Sequence, residues 1–518
     1  MRRASSILIV LLALVLSSVT ITRAQSTNGT WAGWIEADEF IGALRLDIAD
    51  NGGSKITLFY AGDKRSGPVE ELKVDGTSVS FAGKMQPQAR FSGTVDGEKI
   101  SGSFDQIRQD GTVAGSGTWE VRRTDAAAIA EPPTAPVTPM KAELPAPTGK
   151  YSVGRRFFYW TDESRSEEIT PDPNDKRKLF VQLWYSAKNA KSGTEAEYFP
   201  NLNELAGKGE SDTFLRSIKT HTKSDVALAK GKTKFPVVIF SPGLGSNPLQ
   251  YAAIIEDLVS HGYVVAAIDH PYDSGPFKFS DGSIIRFAGD KWNREVPKDW
   301  SAEDRNRFFN DRRFGWAKDV SFVVDQLRKL ERSMVDHMDF GNLGMLGHSY
   351  GGQAASVVCA SDVRFKACAN LDGLAQGNSF LPDAAGNVQK QPFLFFTKAA
   401  EVTDFELKMM NMNREEYRSR EQKRLRERWK PGYKTRMAAL ESGAYLITYP
   451  GAKHTSFSDT LFLDPKSSQS YAERLEMSRV INQYVLAFFD KYLKKQDAPL
   501  LDGKTTSASP VIVELLKK

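Results

Sequence analysis

The sequence FGNLGMLGHSYGGQAA at residues 340–355 decides the fold of this chain. Its centre, GHSYG at 347–351, has the pattern G-x-S-x-G, with a short apolar run before it and small residues after it. Such an order predicts a buried strand, a sharp turn that exposes the hydroxyl of Ser349, and a helix packed closely on a sheet. A Gly-rich turn after a strand also has purely structural versions, but the order of strand, turn and helix favours a serine nucleophile.

Around this stretch, residues 150–518 alternate between strand-like and helix-like patterns. The candidate strands are 152–160, 178–186, 235–241, 263–269, 342–347, 366–371, 393–397 and 444–449, and the candidate helices are 248–261, 312–331, 350–360 and 471–494. Continuous Val, Ile and Phe runs separated by helices predict a mostly parallel sheet covered on both faces. Eight strands, with the serine after the fifth, follow the order of an α/β-hydrolase domain.

The hydroxyl of Ser349 needs a histidine to remove its proton before it can act as a nucleophile. In α/β-hydrolases the acid and then the histidine follow the serine along the chain. Of the histidines at 221, 261, 270, 337, 348 and 454, only the last lies beyond the serine, in a loop after an apolar strand. We therefore predict His454 as the base; the alternative is a solvated surface histidine.

Two regions compete for the acid that orients this histidine. Asp372 ends the strand-like run after the elbow helix, in ANLDG at 369–373, whereas Glu401 and Asp404 follow the next strand. A carboxylate at the carboxyl end of a strand is well placed to orient an imidazole. Asp372 could instead serve only as a turn cap, so the residues alone leave the choice open.

Three segments precede the hydrolase-like region. Residues 1–24 have a basic start, an apolar run at 7–16 and a T-x-A ending, and we expect a cleaved secretory signal peptide; an uncleaved anchor is the alternative. Residues 28–123 alternate apolar and polar side chains between Asn-Gly and Asp-Gly turns, which predicts a small antiparallel barrel or sandwich. Residues 124–149, with six prolines, predict an extended linker. The location expected is therefore secreted or periplasmic.

Composition limits the partners and cofactors. The net charge of +5 is modest for 518 residues, so nucleic acid is not an expected partner. Cys359 and Cys368 lack histidine partners at metal spacing, which argues against a zinc site. Whether these two cysteines form a disulfide or stay as buried thiols is open.

A basic segment lies between the last two candidate strands. Residues 406–436 carry eleven Lys and Arg residues against five Glu residues, in a helical pattern. One interpretation is a lid-like insertion, around 400–440, that covers the active site and contacts an anionic lipid surface. The other is a solvated helical hairpin, because mixed charge on a helix usually faces water.

One longer segment carries a family resemblance. The sequence FPVVIFSPGLGSNPLQYAAIIEDLVSHGYVVAAIDHPYD at 235–273 resembles the secreted, lipoprotein-associated platelet-activating factor acetylhydrolases and their bacterial esterase relatives, as do KLFVQLWY at 178–185, GHSYGG at 347–352 and RFKACANLDG at 364–373. The resemblance implies that the acid is Asp372 and that the N–H groups of Leu244 and Tyr350 form the oxyanion hole. Glycines flanking Leu244 agree with this, since they let a backbone N–H approach an oxyanion.

The sequence departs from the family pattern at two positions. Pro242 precedes the Gly-Leu-Gly loop where the family commonly has histidine, and a proline removes only its own N–H there. The second is His270-Pro271-Tyr272, where the family has a His-Arg-Asp pattern. Because this loop borders the site, we expect the substrate preference to differ from that of the family.

Together these features predict a serine carboxylesterase that acts on short-chain acyl or phospholipid esters, such as platelet-activating factor, through an acyl-enzyme. No metal or organic cofactor is expected. A serine peptidase of the same fold is an alternative, although the β domain is too small for a propeller. A second alternative is a binding protein without catalysis on a hydrolase scaffold.

Overall fold

The computed structural model describes residues 26–37, 40–49, 52–85, 88–108, 111–131, 143–188, 193–205, 210–224, 226–229, 234–289, 301–373, 390–399, 402–429, 443–464, 469–503 and 511–516. The chain divides into two compact units, with the boundary between Ala130 and Glu131. Residues Phe405–Met412 group with the first unit, although they lie far along the chain. The predicted signal peptide lies outside the described residues.

The first unit is a closed antiparallel barrel. Its strands are β1 Gly29–Ala37, β2 Phe40–Ile48, β3 Lys55–Tyr60, β4 Asp63–Asp75, β5 Ser78–Gly83, β6 Gln88–Asp96, β7 Lys99–Ile107 and β8 Val113–Thr124. Strand β8 pairs with β1, which closes the barrel and removes the sheet edges that a sandwich would leave. Alternate side chains fill the interior, including Trp31, Phe91 and Trp119.

The second unit is built on a mixed sheet. The strands are β9 Ser152–Ser166, β10 Lys176–Ala187, β11 Thr194–Glu195, β12 Thr222–Ser224, β13 Phe235–Ser241, β14 Val264–Asp269, β17 Met338–His348, β18 Phe365–Leu371, β19 Phe393–Ala399, β20 Ala444–Pro450 and β21 Ile512–Leu516. Within the described residues their order is β11-β12-β9-β10-β14-β13-β17-β18-β19-β20-β21. The run from β14 to β20 is parallel. A separate hairpin pairs β15 Phe277–Lys278 with β16 Ile284–Ile285.

The sheet has more strands than the eight that were predicted. All eight predicted strands are present, but β11, β12 and β21 extend the two edges of the sheet. These edge strands are two to five residues long, and the first two lack a continuous apolar run. The prediction of eight strands is therefore wrong, because a short edge strand needs no strong hydrophobic pattern.

Helices cover both faces of this sheet. The α-helices within the described residues are α1 Leu202–Leu205, α2 Glu210–Ser217, α3 Ala252–Ser260, α4 Ala302–Leu327, α5 Arg332–Val335, α6 Tyr350–Ser361, α7 Asp404–Met410, α8 Arg414–Trp429, α9 Thr460–Leu463 and α10 Tyr471–Leu493. Val238 and Phe240 pack with α3 and α10, whereas Val237 and Ile239 pack with α4 and α6. Helix α4 begins well before the predicted start at 312, because Ser301 caps it by accepting from the Asp304 N–H.

The linker is shorter than the composition indicated. Leu144 is buried in the core of the second unit, and the Thr148 N–H and hydroxyl both donate to Asp257. The chain has therefore joined the second unit before the predicted boundary at 149. Most of the prolines lie within residues 132–142, outside the described residues.

A disulfide joins Cys359 near the end of α6 to Cys368 in β18, with their Cα atoms 6.4 Å apart. This bond ties the helix that follows the serine to the neighbouring strand. It settles the alternative that the sequence left open. No helix in the described part of the chain is long and apolar enough to cross a bilayer.

Candidate active site

Ser349 lies at a strained turn between β17 and α6. Its backbone has φ 53° and ψ −119°, a left-handed conformation that is rare for a residue with a side chain. The neighbouring glycines permit this turn: a Cβ on Gly347 would lie 2.1 Å from the Gly351 carbonyl oxygen, and one on Gly351 would lie 2.2 Å from the Ser241 oxygen. The Ser349 N–H donates to the Leu371 carbonyl at 2.8 Å, which anchors the turn to the next strand.

His454 lies beside the serine. It begins a 3-10 turn, His454–Phe457, that follows β20. Its Nε2 atom is 2.9 Å from the Ser349 Oγ atom, and its side chain is 43% exposed. An imidazole at this distance can accept the hydroxyl proton and still reach water.

Asp372 completes a chain of hydrogen bonds. It follows β18, and its Oδ2 atom is 2.6 Å from the His454 Nδ1 atom, while the Thr397 hydroxyl donates to Oδ1 at 2.9 Å. A carboxylate can only accept, so the proton of the neutral imidazole is on Nδ1 and Nε2 is free to accept from Ser349. The order Ser349, His454, Asp372 is the arrangement of a serine hydrolase triad.

The environment keeps the Asp372 carboxyl ionised. Burial by itself raises the pKa of this group, but the hydrogen bond from His454 and the positive charge of Lys398 together lower it more. The net pKa therefore lies below the ordinary value of 3.8. An ionised carboxylate at this position stabilises the imidazolium that forms when His454 takes a proton.

The competing carboxylates lie elsewhere. Asp404 begins α7, its side chain is 94% exposed, and it pairs with Arg414 at 2.7 Å. Glu401 lies outside the described residues. Among the described carboxylates, the structure brings Asp372 rather than Asp404 to His454.

The two residues predicted to supply the oxyanion donors lie in segments next to the serine. Leu244 belongs to the loop after β13, where Gly243 packs so closely that a Cβ on it would lie 3.3 Å from the Ser349 Cβ atom. Tyr350 is the first residue of α6, and N–H groups in a first helical turn point out of the helix end. Pro242 remains compatible with this loop, because its carbonyl accepts from the Gly351 N–H at 3.1 Å.

A small apolar cluster borders the oxyanion loop. Trp316, Tyr350 and Ala354 are buried together, and Leu244 and Phe308 pack against them. The Trp316 and Tyr350 rings meet edge to face with centroids 5.0 Å apart. Leu244 and Phe308 are partly exposed, so they give this side of the site an apolar surface.

A second Ser-His-Asp chain, which the sequence analysis missed, lies behind the oxyanion loop. Ser241 Oγ is 3.0 Å from His270 Nε2, and His270 Nδ1 is 2.8 Å from Asp319, which also pairs with Arg177 at 2.8 Å. Ser241, His270 and Asp319 are completely buried, so this chain has no access to a substrate. Only His270 drew notice in the sequence, as a departure from a family pattern, because its partners lie far apart along the chain.

Metal-binding clusters do not occur in the described ranges: no group of three or more His, Cys, Asp or Glu side chains there could hold a metal ion.

The chain is similar to several known proteins. The family model described as "Platelet-activating factor acetylhydrolase, isoform II" matches residues 137–280 and 318–510, more than half of the chain. The chain is 28% identical over 270 residues to the "Probable 1-alkyl-2-acetylglycerophosphocholine esterase" of Arthroderma benhamiae, covering 48% of this chain and 64% of that protein. It is 26% identical over 413 residues to the platelet-activating factor acetylhydrolase of Canis lupus familiaris, covering 71% of this chain and 83% of the relative.

A solved structure is also similar. The ferulic acid esterase from Streptomyces cinnamoneus superposes with a TM-score of 0.55 at 25% sequence identity, over 72% of this chain and 98% of the esterase. The barrel strands, which end at Thr124, precede the residues that the family model matches.

Proposed function

We propose a function from the premise that this chain belongs to the platelet-activating factor acetylhydrolase isoform II family. Its relatives are named as acetylhydrolases and esterases, and the chain is accordingly a carboxylic ester hydrolase. The finer proposal is a serine esterase that cleaves short-chain acyl esters, including acetyl esters of phospholipids, through Ser349, His454 and Asp372. The hydrogen-bonded order of these three side chains is the observation that carries the proposal.

The proposed reaction begins with attack of the Ser349 Oγ atom on the acyl carbon. His454 Nε2, 2.9 Å away, accepts the hydroxyl proton as the new C–O bond forms, and the carbonyl oxygen becomes an oxyanion. The N–H groups of Leu244 and Tyr350 stabilise that oxyanion, where one donor contributes about 2.7–4 kcal/mol to catalysis. His454 then gives its proton to the leaving alkoxide.

Deacylation repeats these roles with water. His454 takes a proton from a water molecule as the water oxygen attacks the acyl carbon, and it returns that proton to Ser349 as the acid product leaves. Asp372 remains ionised throughout and holds the Nδ1 proton of His454. No step needs a group from outside the chain other than water.

The apolar cluster beside Leu244 supports an ester with an apolar part. Leu244 and Phe308, which are partly exposed against the buried Trp316, offer hydrocarbon surface there. Export from the cytoplasm is part of the proposal as well, supported by the basic start and apolar run of residues 1–24.

The test compares Ser349→Ala and His454→Ala with the wild type and with Ser361→Ala. Ser361 is an exposed serine at the carboxyl end of α6, the helix that follows Ser349. Each site variant should lose at least about 10³-fold in kcat for p-nitrophenyl acetate, because the triad acts as a unit, and the double variant should be little worse. A fluorophosphonate probe should label the wild type and Ser361→Ala, but not Ser349→Ala.

Three results would contradict the proposal. Turnover near the wild-type level in His454→Ala would remove the assigned base. Cleavage of aminoacyl amides in preference to acetyl esters would favour the serine peptidase, and an absence of both probe labelling and turnover in the wild type would favour a binding protein.

A further inference from the structure

A continuous hydrogen-bond chain connects the oxyanion loop to the histidine-bearing turn. The Gly243 N–H donates to the Tyr251 hydroxyl at 3.0 Å, and this hydroxyl lies 2.8 Å from His348 Nδ1. His348 Nε2 lies 3.0 Å from the carbonyl oxygen of His454. Tyr251 is completely buried and His348 is 4% exposed, so water does not compete for these bonds.

The partners determine where each proton lies. A carbonyl oxygen can only accept, so His348 Nε2 carries its proton and donates to His454. The Nδ1 atom of neutral His348 is then an acceptor, and Tyr251 must donate to it. The Tyr251 oxygen keeps its lone pairs for the Gly243 N–H. Every link in the chain therefore has one donor and one acceptor.

His348 must stay neutral for this arrangement to hold. Burial, together with the positive charge of a protonated His454, lowers the pKa of His348 to about 3. Burial also raises the pKa of Tyr251 to about 12, so its hydroxyl keeps the proton that it donates. Because both ring nitrogens of His348 are occupied, this residue is not a competing base for Ser349, although it is next to it in sequence.

This series of hydrogen bonds contacts two parts of the proposed catalytic site, the oxyanion loop and the turn that carries His454. Gly243 lacks a side chain, so the peptide groups before and after it must be held from outside. The Tyr251 hydroxyl holds the first, and the Ser246 N–H, which donates to the Gly243 carbonyl at 3.0 Å, holds the second. The second peptide group contains the Leu244 N–H, so its direction toward Ser349 depends on both bonds.

We infer that Tyr251 and His348 are positioning residues that hold the Leu244 N–H and the His454 turn in one arrangement around the Ser349 hydroxyl. This inference rests on the proposed function, since it assigns these residues no chemistry of their own. His348 is the centre of the arrangement, because it is covalently next to Ser349, accepts from Tyr251 and donates to the main chain of His454. A shift of either loop is therefore opposed through the same imidazole.

The test begins with Tyr251→Phe, which keeps the ring and removes the hydroxyl. Loss of a whole oxyanion donor lowers kcat by about 10²–10³-fold, so a misdirected donor should lower it by roughly 10- to 100-fold, with KM changed less than about threefold. A trifluoromethyl ketone, which forms an oxyanionic hemiketal with Ser349, should bind more weakly by the same factor as kcat/KM falls. That parallel loss would not follow from a general loss of stability.

The matched control is Tyr185→Phe. Tyr185 is 1% exposed, and its hydroxyl donates to the Val226 carbonyl at 2.8 Å. It pairs with Val264 at the amino end of β14, whereas Ser349 follows the carboxyl end of the parallel strand β17. Both variants lose one buried hydroxyl, so both should lose similar thermal stability. Only Tyr251→Phe should lose kcat and affinity for the ketone.

Two variants of His348 distinguish its bond to Tyr251 from its bond to the His454 carbonyl. His348→Gln can keep a donor near Nε2 but loses the acceptor for Tyr251, whereas His348→Asn keeps an acceptor near Nδ1 but no longer reaches the His454 carbonyl. We expect His348→Gln to weaken ketone binding as Tyr251→Phe does, and the double variant Tyr251→Phe/His348→Gln to be no worse than the larger single effect, because both break the bond between Tyr251 and His348.

The inference is overturned if kcat/KM and ketone affinity of Tyr251→Phe stay within twofold of Tyr185→Phe. It is equally overturned if the effects of Tyr251→Phe and His348→Gln simply add. If Tyr251→Phe does not fold, the inference is tested with His348→Gln instead. It is then overturned if kcat/KM and ketone affinity of His348→Gln stay within twofold of Tyr185→Phe. Wild-type turnover in Ser349→Ala would instead reject the proposed function, so the two failures are distinguishable.

Discussion

Two histidines with very different surroundings lie side by side at this site. The rings of His348 and His454 have centroids 4.7 Å apart. His348 is buried with both nitrogens bonded, whereas His454 is 43% exposed and faces an ionised carboxylate. Burial lowers the pKa of His348, so its ring stays neutral, whereas His454 Nε2 lies 2.9 Å from the Ser349 hydroxyl. Environment, rather than residue type, therefore assigns the role of base.

At this scale we predict that Asp372→Asn lowers turnover far more than Asp404→Asn. Asp372 is 7% exposed and bonded to His454, and loss of a triad acid can lower kcat by ~10⁴-fold through the wrong imidazole tautomer. Asp404 is 94% exposed, so its variant should stay within about twofold of the wild type. Steady-state kinetics with p-nitrophenyl acetate measure both, and the reverse ranking would move the acid to the later position.

At the scale of elements, a buried ion-pair network joins α4 to the sheet. Asp319 on α4 accepts from Arg165, Arg177 and His270, and the arginines belong to β9 and β10. Burial alone raises the pKa of Asp319, but the charge of Arg177 and the hydrogen bond from His270 outweigh burial and bring it far below the ordinary value of 3.8. The carboxylate is thus held ionised, and Ser241 at the start of the oxyanion loop is tied to α4 through His270.

We therefore predict that Asp319→Asn lowers the free energy of unfolding by about 3–5 kcal/mol, because it removes one of the two buried carboxylates, Asp319 and Glu167, that pair with the buried Arg177. Asp325→Asn, on the same helix with a carboxylate 55% exposed and paired to Arg364, is the matched control and should cost less than about 1 kcal/mol. Urea unfolding followed by circular dichroism measures both.

The difference in the free energy of unfolding between the wild type and Asp319→Asn should depend on pH in a definite direction. Because the pKa of Asp319 is lowered in the folded state, its stabilisation is present above the ordinary value of 3.8 and is lost as pH falls below it. The gap between wild type and Asp319→Asn should be largest near neutral pH and should narrow below about pH 4. A gap that does not depend on pH would contradict the ionised carboxylate.

At the scale of the molecule, the predicted lid segment is divided between the two units. Residues Phe405–Met412 group with the barrel, where the Phe405 ring contacts Phe59 with centroids 5.2 Å apart and the Glu406 carboxylate accepts from the Gly62 N–H at 3.0 Å. Helix α8 belongs to the second unit. Some of its basic side chains are paired within the segment, as in Arg420 with Glu416 and Arg424 with Glu421.

This division shapes the prediction that the basic segment controls substrate access. A deletion should spare residues Phe405–Met412, which group with the barrel, and replace 414–436 by a short Gly-Ser linker. If the segment is a lid, this variant should change the ratio of kcat/KM between short soluble esters and long-chain lipid esters, while fluorophosphonate labelling of Ser349 stays within about twofold. An unchanged ratio in a folded variant would leave the solvated hairpin as the better description.

Contact with anionic lipid is a separate part of that prediction. Wild-type binding to vesicles containing phosphatidylserine should weaken steeply between low and physiological salt, because exposed charges are screened beyond ~10 Å at 0.1 M ionic strength. Lys423, exposed on α8, is a suitable site for Lys423→Glu, which should weaken binding further. Vesicle binding that is absent or independent of salt would reject the lipid contact.

The sequence by itself determined the features that local pattern and chain order encode. The sequence predicted the G-x-S-x-G turn, all eight interior strands and the position of His454 after the last parallel strand. The strands were predictable because burial on both faces requires long apolar runs. The turn was predictable because a serine with a positive φ requires flanking glycines. The family resemblance was confirmed by the family model. The short edge strands were missed, since they bury little.

Only the tertiary structure decided which distant groups meet. It closed the barrel rather than leaving a sandwich, joined Cys359 to Cys368, and brought Asp372 rather than Asp404 to His454. It also joined His348 to Tyr251, and Asp319 to His270, across intervals of chain that carry no shared pattern. The physical reason is that periodicity specifies which face of an element is buried, whereas a hydrogen bond between buried polar groups depends on the spatial packing of several elements at once.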